Sequence, residues 1–217
     1  YHRAVADFDR VTELAPQDSP IAYRNRADAH FALEHYAAAV TDYSKAIELD
    51  SEFAAAYLVR AGAQANQEQF DQALSDYDKG IQLQPENVDM RFQRGGLFLF
   101  LGARYDGDGQ ADRAREAYCA AIADYDEVAR LAPDVPLCYL NRGQARTMLG
   151  EYDQALQDYE SVLLEDPENV RAYAQRGDLY TIIGDRYLGE NKKDLADGIY
   201  HRAVADFDRV TELAPQD

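Results

Sequence analysis

Cysteine is scarce in this chain. Cys119 and Cys138 are the only two in 217 residues, and their spacing fits neither a metal-ligand set nor a redox pair. A disulfide framework is excluded, and both are expected to act as small apolar fillers. Basic charge is scarce too: 22 Lys and Arg stand against 40 Asp and Glu, for a net charge of -18. Such a surface repels phosphate backbones and anionic lipids, so neither nucleic acid nor a membrane is an expected partner. No apolar run approaches the ~18 residues a membrane span needs, and no charged-then-apolar leader opens the chain. Nothing else in the sequence assigns a compartment. The four histidines, His2, His30, His35 and His201, sit in repeated positions, and no Gly-rich phosphate loop follows a strand. With no nucleophile beside a base and no ligand cluster, neither catalysis nor a metal or cofactor is expected.

What the chain does contain is repetition. Three stretches align: "AYRNRADAHFALEHYAAAVTDYSKAIELD", "AYLVRAGAQANQEQFDQALSDYDKGIQLQP" and "CYLNRGQARTMLGEYDQALQDYESVLLEDP". Each reads as a pair of amphipathic helices, because its apolar residues recur at spacings of three and four. Pro, Asp and Asn punctuation ends each unit. The period is 34 residues for units starting near Pro20, Ala54 and Pro136. A small column, Ala39, Ala73, Ala121, Ala155 and Ala203, lets paired helices approach closely. A ring column, Tyr43, Tyr77, Tyr125, Tyr159 and Phe207, fills the space beside it. Arg26, Arg60, Arg94, Arg142 and Arg176 recur on the first helices, and Asp42, Asp76, Asp124, Asp158 and Asp206 on the second. These two columns predict a rail of ion pairs.

The motif Asn141, Arg142, Gly143, Ala145, Leu149, Gly150, Tyr152, Ala155, Leu156, Asp158 and Tyr159 resembles the tetratricopeptide repeat, in the form NRG-x-A…LG-x-Y-x-x-A-L-x-D-Y. The resemblance recurs along essentially the whole chain. It implies an all-α fold, a right-handed superhelical solenoid of helical hairpins with a concave groove. The units are expected at 19–53, 54–87, 88–135, 136–169 and 170–217, with 1–18 an orphan second helix. The resemblance also implies that first helices line a groove for a protein or peptide. The matching positions include Arg24, Asp28, Leu58, Phe92, Leu99, Phe100, Leu140 and Met148. The row Leu58, Phe92 and Leu140 suits an apolar segment. Arg24 beside Asp28 and Val59 in the next unit do not supply the Lys, Asn and Arg set with which some relatives clamp a terminal carboxylate.

Two units break the period. Residues 88–135 and 170–217 run 48 residues, each gaining fourteen after its "LG" or "IG". Split evenly, fourteen residues lengthen each helix of a hairpin by about two turns, ~10 Å. The turn signals "DGDG" at 106–109 and "GEN" at 189–191 fall where an even split puts the tip. Protruding hairpins are expected, with Arg104, Tyr105, Arg186 and Tyr187 on their shafts. Asp106, Asp108 and Asp112 spell a fragment of a calcium loop, but Arg104 holds its first ligand position and no bidentate Glu closes it.

Finally, "YHRAVADFDRVTELAPQD" stands at both ends, as Tyr1–Asp18 and Tyr200–Asp217, an offset of 199 residues. The chain thus reads as one period of a 199-residue super-repeat with an overlap. Two functions follow as expectations: a non-catalytic protein–protein interaction scaffold cut from a longer array, or a structural array that self-associates head to tail into a fibre.

Overall fold

The computed structural model describes residues 19–214, all-helical apart from short turns. The expected orphan helix at 1–18 lies outside the described residues. Ten helices follow one another: α1 Pro20–Ala32, α2 Tyr36–Leu49, α3 Ala54–Asn66, α4 Phe70–Leu83, α5 Val88–Gly107, α6 Ala111–Leu131, α7 Pro136–Leu149, α8 Tyr152–Glu165, α9 Val170–Gly189 and α10 Lys193–Leu213. The local reasons for these bounds are chemical. Ser19 accepts from the Ala22 amide at 3.3 Å and Pro20 supplies a preset φ at the first turn of α1. Asn169 caps α9 in the same way, accepting from the Ala172 amide at 3.0 Å. Every turn inside a hairpin carries one left-handed residue: Glu34, Glu68, Gly109, Gly150 and Asn191, with φ between 58° and 78°. Only two of the five are glycine, so the other three hold a conformation that costs a residue with a Cβ roughly 1 kcal/mol.

Helices α1 to α4, α7 and α8 are 13 or 14 residues long, whereas α5, α6, α9 and α10 are 20 or 21. The added length is shared between the two helices of each long pair, and the turns fall at 108–110 and 190–192. Close approach in these pairs depends on glycine. A Cβ on Gly102 would stand 2.5 Å from the ring of Tyr118, and one on Gly184 would stand 2.6 Å from the ring of Tyr200.

The chain divides into two compact units, Tyr1–Leu97 and Phe98–Asp217, the division falling within α5. In the first, Ala27, Ala39, Tyr43 and Ala63 form a buried cluster flanked by Phe31, Tyr36, Val40 and Val59. In the second, Leu140, Ala155, Tyr159, Val162, Ala172 and Leu179 do so, flanked by Leu156, Leu163 and Ile183. The small column is buried throughout, at 0 to 3% exposure, and four of the five rings, Tyr43, Tyr77, Tyr125 and Tyr159, lie between 0 and 4%. Burial pushes the hydroxyls of Tyr77 and Tyr159 up to about 12. Cys138 is a core residue as expected, its thiol donating to the Tyr125 carbonyl at 3.1 Å and pushed up to about 11 by burial. Cys119 is exposed, which corrects its reading as a filler. It shares an outward column with Ala37, Asp71, Asp153 and His201, all exposed.

Candidate partner-binding surfaces

The rail of ion pairs is formed by Arg26, Arg60, Arg142 and Arg176. Arg26 meets Asp42 through Nε and Nη2 at 2.7 and 2.6 Å, and Arg60 meets Asp76 at the same distances. Arg142 donates Nη2 to Asp158 at 2.6 Å, and Arg176 donates Nε and Nη2 to Asp206 at 2.8 and 2.7 Å. The planar fork of arginine suits this two-point contact. Each of the five carboxylates in the column, Asp124 included, is at most 6% exposed. Donating to the Asp206 carboxylate raises the pKa of the Arg176 guanidinium above its ordinary value.

The third nitrogen has a different target. Arg60 Nη1 donates to Ser44 Oγ at 3.0 Å, Arg94 Nη1 to Asp78, and Arg142 Nη1 to Asp126 Oδ1 at 2.8 Å. These acceptors all belong to the second helix of the preceding hairpin. Arg60 and Arg142 therefore each close their own hairpin and tie it to the one before. The arginine also lies over the tyrosine three residues earlier, with centroid distances of 5.7 Å for Arg26 on Tyr23, 5.6 Å for Arg60 on Tyr57, 5.1 Å for Arg142 on Tyr139 and 5.6 Å for Arg176 on Tyr173.

The groove positions do not all stand alike. In the first unit Arg24 is paired with Asp28 at 3.0 Å, and Asp28 also accepts from the Tyr43 hydroxyl at 2.8 Å. Asp28 and burial together hold that hydroxyl well above its ordinary range, burial contributing most. Leu58 lines a cleft of about 300 Å³ with Phe31, Val59, Gly62, Tyr77, Asp89 and Gln93. The Phe31 ring is held edge-on by Tyr36 at 5.4 Å, which fixes one wall. Phe92 is half-buried in the same unit. In the second unit Leu99 is half-buried, while Phe100 and Met148 are 53% and 46% exposed. Leu140 corrects the expectation of an apolar row at the surface. It is 3% exposed and belongs to the core of its unit. Helix α9 crosses beside it, Arg171 donating to Asn141 at 3.1 Å and Gln175 to Gln144 at 3.4 Å, so the surface at that point is polar.

The long-hairpin residues are also engaged. Arg113 stacks 4.1 Å above the Tyr105 ring and donates to its hydroxyl at 2.9 Å. Arg104 is exposed. Arg186 pairs with Glu190 at 3.2 Å and lies 6.0 Å from the Tyr152 centroid. Together with Tyr187 and Lys192 they line a polar cleft of about 320 Å³ against Gly150, Tyr152 and Asp153. Arg186 and Tyr187 thus face the α7–α8 turn on one side instead of standing free. Among the described residues no three His, Cys, Asp or Glu side chains are placed to hold a metal ion, and no helix is long and apolar enough to cross a membrane.

Solved structures share the fold. YrrB, a TPR protein with an unusual peptide-binding site, superposes with a TM-score of 0.65 over 98% of this chain and 95% of its own, at 21% identity. A tetratricopeptide repeat protein from Parabacteroides merdae gives 0.68 over 97% and 86%, at 18% identity. MamA from Desulfovibrio magneticus gives 0.69 over 92% and 98%, at 14% identity. Among curated sequences, serine/threonine-protein phosphatase T of Aspergillus oryzae is 40% identical over 57 residues, which is 26% of this chain and 10% of that protein. The chain thus spans about a tenth of the length of that relative. Models of the tetratricopeptide repeat match residues 1–52, 24–88 and 136–169, more than half of the chain. The arginine-tied hairpins, the buried ring column and these matches agree: the chain belongs to the tetratricopeptide-repeat family.

Proposed function

We propose that the protein is a non-catalytic scaffold whose five repeats, at 19–53, 54–87, 88–135, 136–169 and 170–217, present their first helices to a protein segment. The observation that carries this reading is the cleft of about 300 Å³ around Leu58. Its walls are apolar, its rim holds Asp89 and Gln93, and the chain carries a net charge of -18. A segment with one apolar anchor flanked by basic residues matches that chemistry. Arg24, Asp28 and Phe92 extend the surface in the first unit, and Leu99, Phe100 and Met148 provide further apolar positions in the second.

The test is selection of binders from a displayed random-peptide library on the full chain, followed by counter-screening on Leu58→Arg. Selected peptides should share an apolar residue with Lys or Arg beside it, and Leu58→Arg should reduce their binding about tenfold or more, given the burial of one apolar side chain. Peptides that bind Leu58→Arg as well as the parent would refute the site. A second reading, a self-assembling array with a 199-residue super-repeat, is favoured by one specific observation, the identity of Tyr1–Asp18 with Tyr200–Asp217.

A further inference from the structure

The two long hairpins carry the same tyrosine near their tips and finish it differently. Residues 102–121 align with 184–203 without a gap, which sets Tyr105 against Tyr187, Gln110 against Lys192 and Arg113 against Leu195. In the α5–α6 hairpin the chain closes the tyrosine itself. Arg113 lies 4.1 Å from the Tyr105 ring centroid, donates Nη2 to the tyrosine hydroxyl at 2.9 Å and donates Nη1 to Gln110 Oε1 at 2.8 Å. In the α9–α10 hairpin Leu195 has no such group to offer. Among the described residues the Tyr187 hydroxyl has no hydrogen-bond partner, and the one cation near its ring, Lys192, stands 5.7 Å from the centroid.

Tyr187 lines the cleft of about 320 Å³ against the α7–α8 turn. The two cations of that cleft are both held by one carboxylate, Arg186 Nε at 3.2 Å and Lys192 Nζ at 2.5 Å from Glu190. The other carboxylate of the cleft, Asp153, is exposed and has no hydrogen-bond or ion-pair partner among the described residues. An aromatic ring, a hydroxyl oxygen and a carboxylate therefore line one recess with their bonding capacity unused. These are the groups a guanidinium uses: a face to stack on and oxygens to which its planar fork donates. The net charge of -18 favours the approach of a cationic segment.

We propose that this cleft takes an arginine side chain of a protein partner, stacked on Tyr187 and donating to its hydroxyl and to Asp153, in the role that Arg113 fills for Tyr105 within the chain. Lysine suits the cleft less well, because an ammonium has no plane to stack and no fork to share between two oxygens. The site goes beyond the Leu58 cleft: it belongs to the other compact unit and shares no residue with it.

The probes are acetyl-Gly-Arg-Gly-amide and its lysine and citrulline counterparts, titrated into the full chain and followed by NMR of isotope-labelled tyrosine rings. The arginine peptide should move the Tyr187 signal to saturation, binding about fivefold tighter than the lysine peptide, and the citrulline peptide should leave the signal unmoved. Asp153→Asn, at an exposed position, should weaken arginine-peptide binding about twofold to fivefold and reduce its salt dependence. Leu195→Arg, also exposed, supplies from within the chain the group that the first tip already has. It should shift the Tyr187 signal with no peptide present and cut arginine-peptide binding about tenfold or more, since a tethered group outcompetes a free one. Equal binding of the arginine and lysine peptides, a Tyr187 signal that stays still, or full binding to Leu195→Arg would each overturn the proposal. Leu58→Arg should bind the arginine peptide as the parent does. A loss there would place the peptide in the Leu58 cleft and overturn this site while leaving that one standing.

Discussion

Removing the Asp158 carboxylate tests how much of the fold depends on the arginine rail. Asp158 is 3% exposed and accepts from Arg142 Nη2 at 2.6 Å and from Arg146 Nη1 at 2.8 Å. Both guanidinium side chains are themselves mostly buried, at 13% and 16% exposure. In Asp158→Ala two cations remain in a dry interface, and breaking one such pair costs about 3–5 kcal/mol. Some compensation remains: Arg142 keeps Asp126 at 2.8 Å, and Arg146 has it at 3.6 Å. Asp126 is 51% exposed, however, and a half-exposed pair returns at most about 1 kcal/mol. The expected loss is therefore roughly 2–4 kcal/mol, read from the urea unfolding curve followed by circular dichroism. Asp126→Ala is the control and should cost below about 1 kcal/mol. A triple replacement, Asp158→Leu with Arg142→Met and Arg146→Met, should recover most of the loss, since an apolar set of similar volume carries no stranded charge. Equal costs for Asp158→Ala and Asp126→Ala would refute the reasoning, because burial would then not be the deciding variable.

Further outcomes follow from the same geometry. Tyr77 and Tyr159 titrate near 12 and Cys138 near 11 in the folded chain, all above their unfolded values. The folded state then holds protons that the unfolded chain releases, so stability is full below about pH 9 and falls by about 1.4 kcal/mol per pH unit for each group between its unfolded and folded values, from 9.0 to about 11 for Cys138 and from 10.0 to about 12 for the two tyrosines. A urea midpoint unchanged between neutral and strongly alkaline buffer would contradict this. Gly102→Ala should destabilise by about 1–3 kcal/mol in spite of alanine's better helix propensity, since the new methyl meets a Tyr118 ring that is 1% exposed. A rise in melting temperature for Gly102→Ala would show that the ring yields. Glu68→Gly should do the opposite, adding about 0.5–1 kcal/mol by relieving a φ of 59°, and a loss of thermal stability would show that the Glu side chain matters more than its backbone.

The strict period made most of the fold legible. Ala, Tyr, Arg and Asp recur at fixed offsets because every hairpin meets the same neighbours, and the buried columns and the ion-pair rail follow from that. The turn tips were legible from composition for the same reason. Leu140 shows where the period misleads: it shares a column with half-buried Leu58, but its exposure is decided by α9 and by Arg171 and Gln175, which no column encodes. The back-reach of Nη1 was legible and missed. Its signal is the column Ser44, Asp78, Asp126, Glu160 and Asp208, four acids in five, two residues beyond the buried Asp. Arg146 left no such trace, because the residues at its position elsewhere are His30, Gln64, Phe98 and Tyr180.

The arginine joint also gives the stack a direction. At three junctions the earlier hairpin offers an acceptor and the later one a guanidinium nitrogen, Arg60 to Ser44, Arg94 to Asp78 and Arg142 to Asp126, so each of these joints has unlike sides.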